Sequence, residues 1–449
     1  MRLTELAGQR IAILGFGREG AATFRALSRH LPKPDLTVFA ESGQWPDDIP
    51  GYIGPFDERL AQFDVVIRSP GVPIHHPVLQ SLDPARLINP SSIWLAERPE
   101  VPVIGITGSK GKSTTSAMLA HALSACGERV LLAGNIGSPL IEHLQAEVDR
   151  VVLEVSSYQL TDLVGRFAMG LFTRLFHEHL DWHGGAEHYI GSKLRLFDLV
   201  RDGPVLINGQ DAMLVAATEG QPYRVLANQA PCVHRIDDQL FACSGGDEQA
   251  SVVFDSQRWA LPGRHNLDNA ALVLEAGRRL GHSLSTLATA LAGFQSLRHR
   301  LETVAQRGAQ RWINDSIATS PHATHAALSA LPGQPVVLMV GGQRRPSDWQ
   351  VVIDGLALSG QPLAGLVVLP DSGPEIAQRL LDAGVVEPGR LRSASSMPEA
   401  VQAAADLAPS DGVVLLSPGA PSFAQYRDFE DRGDQFAAAA KAYCERVTE

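Results

Sequence analysis

Cysteine is scarce in this chain of 449 residues: four are present, at 126, 232, 243 and 444, and no two form a C-x-x-C pair. That spacing disfavours a disulfide framework and a thiolate zinc site, and it fits a reducing cytoplasm. Long apolar runs are missing too. No stretch approaches the ~18 residues of a membrane span, and the amino terminus "MRLTELAGQRIAILGFG" lacks the apolar core of a signal peptide, so neither membrane insertion nor export is expected. Positive charge is in deficit, with 38 Lys and Arg against 49 Asp and Glu and a formal net charge of −11. A nucleic-acid footprint needs a basic face to displace counterions, so nucleic acid is excluded as a partner. Any anionic ligand must be held by a local cradle.

What is present is a soluble, globular composition, 45% hydrophobic and 19% charged, long enough for about three domains at roughly 150 residues each. Continuous apolar runs ("RIAILG", "DVVIRS", "VPVIGIT", "RVVLEVS", "PVLING", "PVVLMVG", "GLVVLP", "DGVVLLSPG") alternate with Ala- and Leu-rich segments of helical period. Strands of that kind belong to parallel sheets covered on both faces, so the fold class is α/β. The prolines of "LAERPEVP" and the segment "FQSLRHRLETV" mark boundaries, giving units of about 1–98, 99–297 and 298–449.

The strongest local signal is "VPVIGITGSKGKSTTSAML". A strand ends at Thr107, Gly108 and Gly111 let backbone N–H groups face an anion, Lys112 can reach terminal phosphates, and Ser113 opens a helix where its hydroxyl can meet Mg²⁺. The strict GxxxxGK[ST] spacing fails, because Ile106 occupies the first glycine position. Glu154, near the end of the apolar strand "RVVLEVS", needs a cation if buried, and Mg²⁺ or general-base roles both remain open for it. "ILGFGREG" supplies Gly15, Gly17 and Gly20 after a first strand, with Glu41 at the distance of a ribose contact. A tight strand-to-helix turn explains those glycines equally well. "LPGRHNLDNA" places Asn266 and Asn269 on one helical face. "RHRLE" with Arg300, "WINDSIATSPHAT" with Asp315 and "LLSPGAPSFAQYRDFEDRG" are, one by one, ordinary polar loops.

The order of these segments carries more than any one of them. The succession GITGSKGKST, GNIG, LEVSSYQL, EHLD, GRHNLDNA, RHRLE, NDSIATS and LLSPGAPSFAQYRDFEDRG resembles the Mur ligase family, ATP-dependent enzymes that add amino acids to UDP-N-acetylmuramoyl precursors of peptidoglycan. GFGREG and "SPGVP" in the first unit make it most similar to the glutamate-adding branch. The resemblance implies a Rossmann-like amino-terminal domain for the UDP-sugar, a central phosphate-loop ATPase domain and a Rossmann-like carboxyl-terminal domain for the amino acid. It assigns Gly15, Gly17, Arg18, Ser69, Pro70, Gly71 and Asn135 to the UDP-sugar. Gly108, Ser109, Lys110, Gly111, Lys112, Ser113, Thr114, Asn266, Asn269, Arg300 and Asp315 go to ATP, and Thr319, Arg345, Ser422 and Phe429 to the amino acid. Two Mg²⁺ ions would be met by Ser113, Glu154, His179 and Lys193. Lys112, Lys193 and His179 are the residues implied to be catalytic.

The resemblance also explains why "RLFHEHLDWHGGAEHYIGSKLRLF", residues 174–197, crowds four histidines and a lysine into one window. Lys193 matches the family lysine that reacts with CO₂ to become a carbamate, an anionic oxygen donor suited to a hard cation. His177, His183 and His188 have no match and read as surface or loop histidines, and zinc stays open as an alternative metal. The implied reaction phosphorylates the alanine carboxylate of UDP-N-acetylmuramoyl-L-alanine and lets the glutamate amine displace phosphate, in a monomeric cytoplasmic enzyme. Departures from the family pattern stand out: Arg174 replaces an asparagine, the acidic residue of the uracil side appears as Ala40-Glu41, and Ile317 replaces the lysine of D-glutamate ligases while a second basic site, commonly lysine, appears as Arg345. The last pair favours L-glutamate over D-glutamate. A D-glutamate ligase, a folylpolyglutamate-type ligase, a nucleotide-dependent ATPase without ligase activity and a nicotinamide oxidoreductase are the rival readings.

Overall fold

The computed structural model describes residues 1–449 apart from 42–44, 179, 238, 244–249, 256–258, 260, 262, 296, 346, 361–362, 424 and 447–449. Two compact units emerge, Met1–Trp259 with Arg264–Phe294, and Ala260–Gly263 with Gln295–Glu449.

The first unit holds two large parallel sheets. Strands β1 (Arg10–Leu14), β2 (Asp35–Ala40), β3 (Gly51–Ile53), β4 (Val65–Arg68) and β5 (Leu87–Ile88) lie in the order β3-β2-β1-β4-β5. Strands β6 (Val103–Thr107), β7 (Val130–Gly134), β8 (Arg150–Glu154), β9 (Met169–Phe172), β10 (Val205–Asn208) and β11 (Arg224–Ala227) lie in the order β11-β10-β9-β6-β8-β7. Central strands such as β6, VIGIT, are buried at every position, which is why they read as unbroken apolar runs rather than alternating ones. Connections run to opposite sides of β1 and of β6, so the strand order reverses between β1 and β4 and again beside β6. Open parallel sheets bind ligands outside the carboxyl ends of strands at such reversals. The Gly15 loop, the Ser69-Pro70-Gly71 loop and the Gly108–Lys112 loop all sit there. A three-stranded antiparallel sheet, β12 (His234–Ile236), β13 (Gln239–Cys243) and β14 (Ala250–Asp255), also belongs to this unit. It departs from the parallel expectation: its neighbouring strands run antiparallel, a pairing that needs no crossover helix.

The second unit is a six-stranded sheet of β15 (Glu302–Arg307), β16 (Gln310–Asn314), β17 (Val336–Gly342), β18 (Gly365–Asp371), β19 (Leu391–Ser393) and β20 (Val413–Leu416), ordered β15-β16-β20-β17-β18-β19. Only β15 is antiparallel. Separate apolar clusters cover its two faces, one around Leu338, Trp349 and Leu366, the other around Trp312, Met339 and Phe436. The loops after β16, β17 and β20 therefore emerge side by side at one end. No helix among the described residues is long and apolar enough to cross a membrane.

Candidate active site

In the first unit a cavity of about 310 Å³ is lined by Gly15, Gly17, Arg18, Ser69, Pro70, Gly71 and Asn135, every residue assigned above to the UDP-sugar, together with Glu19, Tyr158 and Gln159. Glycine is required at two places, one by space and one by backbone angle. A Cβ on Gly20 would lie 1.9 Å from the Gly15 carbonyl oxygen, and Gly15 itself has φ +77°, so helix Arg18–His30 can start against the loop only with glycine at both places. Arg18 donates to the carbonyls of Gly134 (3.3 Å), Asn135 (2.7 Å) and Gly137 (3.3 Å). Asn135 in turn donates through Nδ2 to Glu154 Oε1 at 2.8 Å. Glu41 is exposed and stands 3.8 Å from His76 Nε2, outside the lining residues of that cavity.

The Gly108–Lys112 loop follows β6, with positive φ at Gly108 (+151°) and Gly111 (+88°) just before helix Lys112–Ala125. Ser109 faces inward: its N–H donates to the Arg174 carbonyl at 2.7 Å, and its hydroxyl bonds the Phe176 carbonyl and the Tyr189 hydroxyl. Lys110 pairs with Glu178 at 2.7 Å. Lys112 Nζ donates to the carbonyls of Gly108 (2.8 Å) and Ser109 (3.1 Å). Ser113 is half-buried at the helix start, and Thr114 is buried. Asn266 and Asn269 are buried on helix Arg264–Arg279, and Asn269 Oδ1 is so near Gly111 that a Cβ there would meet it at 2.9 Å.

Glu154 closes β8 with no solvent exposure, and its Oε2 has no hydrogen-bond partner. A carboxylate oxygen left unpaired in such surroundings is costly. Lys193 is buried on helix Ala186–Leu199, 2% exposed, with Nζ donating to the Gly108 carbonyl at 2.8 Å. Burial first, and the neighbouring charge of Lys112 second, hold its amine well below the usual lysine range, against the pull of Glu178 and Glu154. His179 lies outside the described residues. Among the described residues no group of three or more His, Cys, Asp or Glu side chains converges on a metal position.

In the second unit, Asp315 follows β16 and is buried, accepting from the Ser417 hydroxyl at 2.8 Å and the Leu301 N–H at 3.2 Å. Burial pushes its carboxyl up to about 7, although Ser417 and then Arg300 pull the other way. Ile317 is half-buried on the same loop and Thr319 is exposed. Arg345 is exposed after β17, 3.2 Å from Gln343 Oε1. Ser422 is buried, and Phe429 opens the last helix with its carbonyl accepting from Ser316 at 2.8 Å.

Sequence profiles of two domains match this chain, the Mur ligase middle domain over residues 106–277 and the Mur ligase glutamate ligase domain over 299–419. A protein of Xylella fastidiosa named UDP-N-acetylmuramoyl-L-alanine--L-glutamate ligase is 37% identical, over 98% of this chain and 97% of the relative. A protein of the same name from a Micromonospora strain is 37% identical over 98% of each. The chain belongs to the Mur ligase family. Its fold is that of solved Mur ligases: the UDP-N-acetylmuramate-alanine ligase of Thermotoga maritima superposes with TM-score 0.60 at 17% identity, covering 97% of this chain and 100% of the other. The MurF ligase of that organism, in complex with ADP, gives 0.56 at 15%, covering 99% and 97%.

Sequence reasoning missed several residues that hold this Mur ligase site together. Arg68 is fully buried, paired through Nε with Asp162 at 2.7 Å and donating to the carbonyls of Pro70, Val72 and Tyr158. Its signal was available: a charge closing the apolar strand "DVVIRS" needs a partner for the same reason as Glu154. Arg432, also buried, donates to Ser316 and to the Ala420 carbonyl, tying the loops after β16 and β20 together. Only contact across some hundred residues reveals that role. His183 corrects the surface-histidine reading: it is 1% exposed and bonds the Ser157 hydroxyl at 3.0 Å. Its neighbours Trp182 and Tyr189 pack edge-on against the ring, whereas His177 and His188 are exposed as expected.

Proposed function

We propose that this chain is an ATP-dependent ligase that joins L-glutamate to UDP-N-acetylmuramoyl-L-alanine, a step of peptidoglycan precursor synthesis, in the cytoplasm. The observation that carries the reading is the link, within one unit of a chain 37% identical to proteins named for that reaction, from a cavity through Asn135 to Glu154 beside a lysine-bearing phosphate loop. Residues 1–98, 99–297 and 298–449 are assigned to the UDP-sugar, ATP and the amino acid respectively.

Amide formation needs an activated acyl group, because a carboxylate is a poor electrophile. ATP bound over Gly108–Thr114 gives its γ-phosphoryl group to the terminal carboxylate oxygen of the alanine. The product is an acyl phosphate with ADP as leaving group. The unprotonated glutamate amine attacks the acyl carbon, and collapse of the tetrahedral intermediate expels phosphate while the nitrogen loses a proton. Gly15, Gly17, Arg18, Ser69, Gly71 and Asn135 position the UDP-sugar; Lys112 leaves its two carbonyl partners for the phosphates. Asn266, Asn269, Arg300 and Asp315 are assigned to the nucleotide, and Thr319, Arg345, Ser422 and Phe429 to glutamate. Phosphoryl transfer of this kind is catalysed chiefly by positioning and by electrostatic stabilisation of the crowded oxygens.

The donor set fits Mg²⁺, which is bound by one or two carboxylates together with substrate phosphates rather than by a closed protein cage. Glu154 offers an orphaned buried oxygen; Ser113, His179 and a carbamate on Lys193 complete the proposed donors for two ions. Bound there, Mg²⁺ would supply neutralisation of phosphate charge. The test is phosphate release measured with ATP and every subset of UDP-N-acetylmuramoyl-L-alanine and glutamate. Release requiring both together is expected. Release with ATP alone at the same rate would establish a plain ATPase instead.

A further inference from the structure

We propose that Arg174 is a catalytic residue that contacts the phosphate chain of ATP through its guanidinium. The inference rests on the reading of Gly108–Thr114 as the ATP loop and adds a cationic contact from outside it.

Position comes first. The Arg174 carbonyl accepts the Ser109 N–H at 2.7 Å, and a Cβ on Gly108 would stand 3.1 Å from both the nitrogen and the carbonyl oxygen of Arg174, so its backbone is fastened to the loop. The side chain runs to Asp268, with Nη2 donating to Oδ2 at 2.7 Å. Asp268 lies between Asn266 and Asn269 on helix Arg264–Arg279, and Asn269 abuts Gly111. The guanidinium thus spans from the loop to the helix that carries both asparagines.

Its bonding is incomplete. Nε is buried and has no hydrogen-bond partner, an arrangement that costs the fold. Its charge is only shared, among the described residues: Asp268, its ion-pair partner, also accepts Arg235 Nε at 2.7 Å and Asn228 Nδ2 at 3.0 Å, so one carboxylate faces two guanidiniums and a single positive charge is left over. The nearby loop cation Lys110 is engaged by Glu178. A surplus cation with an unused donor, fixed beside a phosphate loop and 37% exposed at its side chain, matches a polyanion. A planar fork suits oxygens over which charge spreads during phosphoryl transfer.

The competing role is a strut that merely steadies Asp268. Arg235 makes the same kind of contact to the other oxygen of that carboxylate, and so Arg235→Ala reports what loss of a strut does. Arg174→Asn, Arg174→Lys and Arg235→Ala would be compared with wild type for kcat, for KM of ATP and of the UDP-sugar, and for thermal unfolding midpoint. We expect Arg174→Asn to lose about 100-fold in kcat/KM for ATP, Arg174→Lys to recover part of it, the UDP-sugar KM to stay within threefold, and Arg235→Ala to stay within threefold throughout. Turnover of Arg174→Asn within threefold of wild type would overturn the proposal. So would an equal loss in Arg235→Ala accompanied by an equal drop in unfolding midpoint. Wild-type protein that neither binds nor cleaves ATP would instead remove the loop reading on which the inference stands.

Discussion

The Lys193 amine, held against the Gly108–Lys112 loop, is pressed toward the neutral form from two directions, by loss of water and by the second ammonium of Lys112. Neutral amines add CO₂; ammonium ions do not. The pressure therefore favours the carbamate, whose oxygens would take the place of a cation that donates to the Gly108 carbonyl and lies 5.0 Å from the centre of the Tyr189 ring. Lys193→Ala is expected to lose at least 100-fold in kcat and to regain a measurable part with added formate, and bicarbonate depletion should slow the wild type. Normal turnover by the variant, or no response to either treatment, would dismiss the carbamate. Asp315 makes a second prediction at this scale. Its folded carboxyl sits at about 7, above the ordinary ~3.9, so the protonated form is the one the fold prefers. The stabilisation is complete below about pH 4 and is lost as pH rises through 7, on the order of a few kcal/mol. Asp315→Asn should unfold at a temperature that exceeds wild type by a margin growing from pH 4 to pH 8. A constant margin would show that Asp315 does not titrate there. Residue types at these places were legible in the sequence: glycines where φ is positive, a lone glutamate at the end of an apolar strand, a lysine downstream of a histidine window. Their ionisation was not, because desolvation depends on neighbours brought from eighty or more residues away.

Elements differ in how plainly they announce themselves. The strands quoted from the sequence are those buried on both faces, and each appears in the structure; β3 and β15, with exposed or half-exposed residues throughout, lack that signature. The antiparallel β12–β14 sheet escaped for the related reason that its strands are mixed in polarity. Helix Arg18–His30 began where the glycine spacing placed it, since Gly20 leaves no room for a side chain. What sequence could not supply is the clamp between β4 and the segment after β8. Arg68 is buried with Asp162 as its ionic partner, and Asn89 donates to the same carboxylate at 2.9 Å. Truncating one member of such a pair strands the other in low dielectric, and the stranded charge costs more than the pair contributed. Arg68→Ala is expected to lower unfolding free energy by about 3 kcal/mol in urea titrations. Its bonds to the carbonyls of Ser69, Pro70, Val72 and Tyr158 go too, so the UDP-sugar KM should rise while the ATP KM holds. A variant as stable as wild type would show that water replaces the clamp.

Chirality of the amino acid belongs to the whole molecule. Glutamate presents two carboxylates and one amine, and exchanging enantiomers at a fixed amine relocates a carboxylate, so the cations that receive it must be elsewhere. Locally the chain offers an apolar Ile317, whose N–H is taken by the His299 carbonyl, and an exposed Arg345 that donates to Gln343, a guanidinium that can fork onto a carboxylate in a way lysine cannot. Taken alone, that exchange is also what compensation within a D-glutamate pocket would look like. Proteins named for L-glutamate are 37% identical through 98% of the chain, which supports the L-glutamate reading proposed above over compensation. The expected result is a kcat/KM for L-glutamate at least tenfold above that for D-glutamate, at saturating ATP and UDP-N-acetylmuramoyl-L-alanine, equivalent to about 1.4 kcal/mol in the transition state. Arg345→Lys should narrow the ratio by weakening L-glutamate, with D-glutamate unchanged, if the fork holds the displaced carboxylate. Preference for the D enantiomer in wild type would return the chain to the other branch, and an unaltered ratio in Arg345→Lys would move the selectivity off that residue.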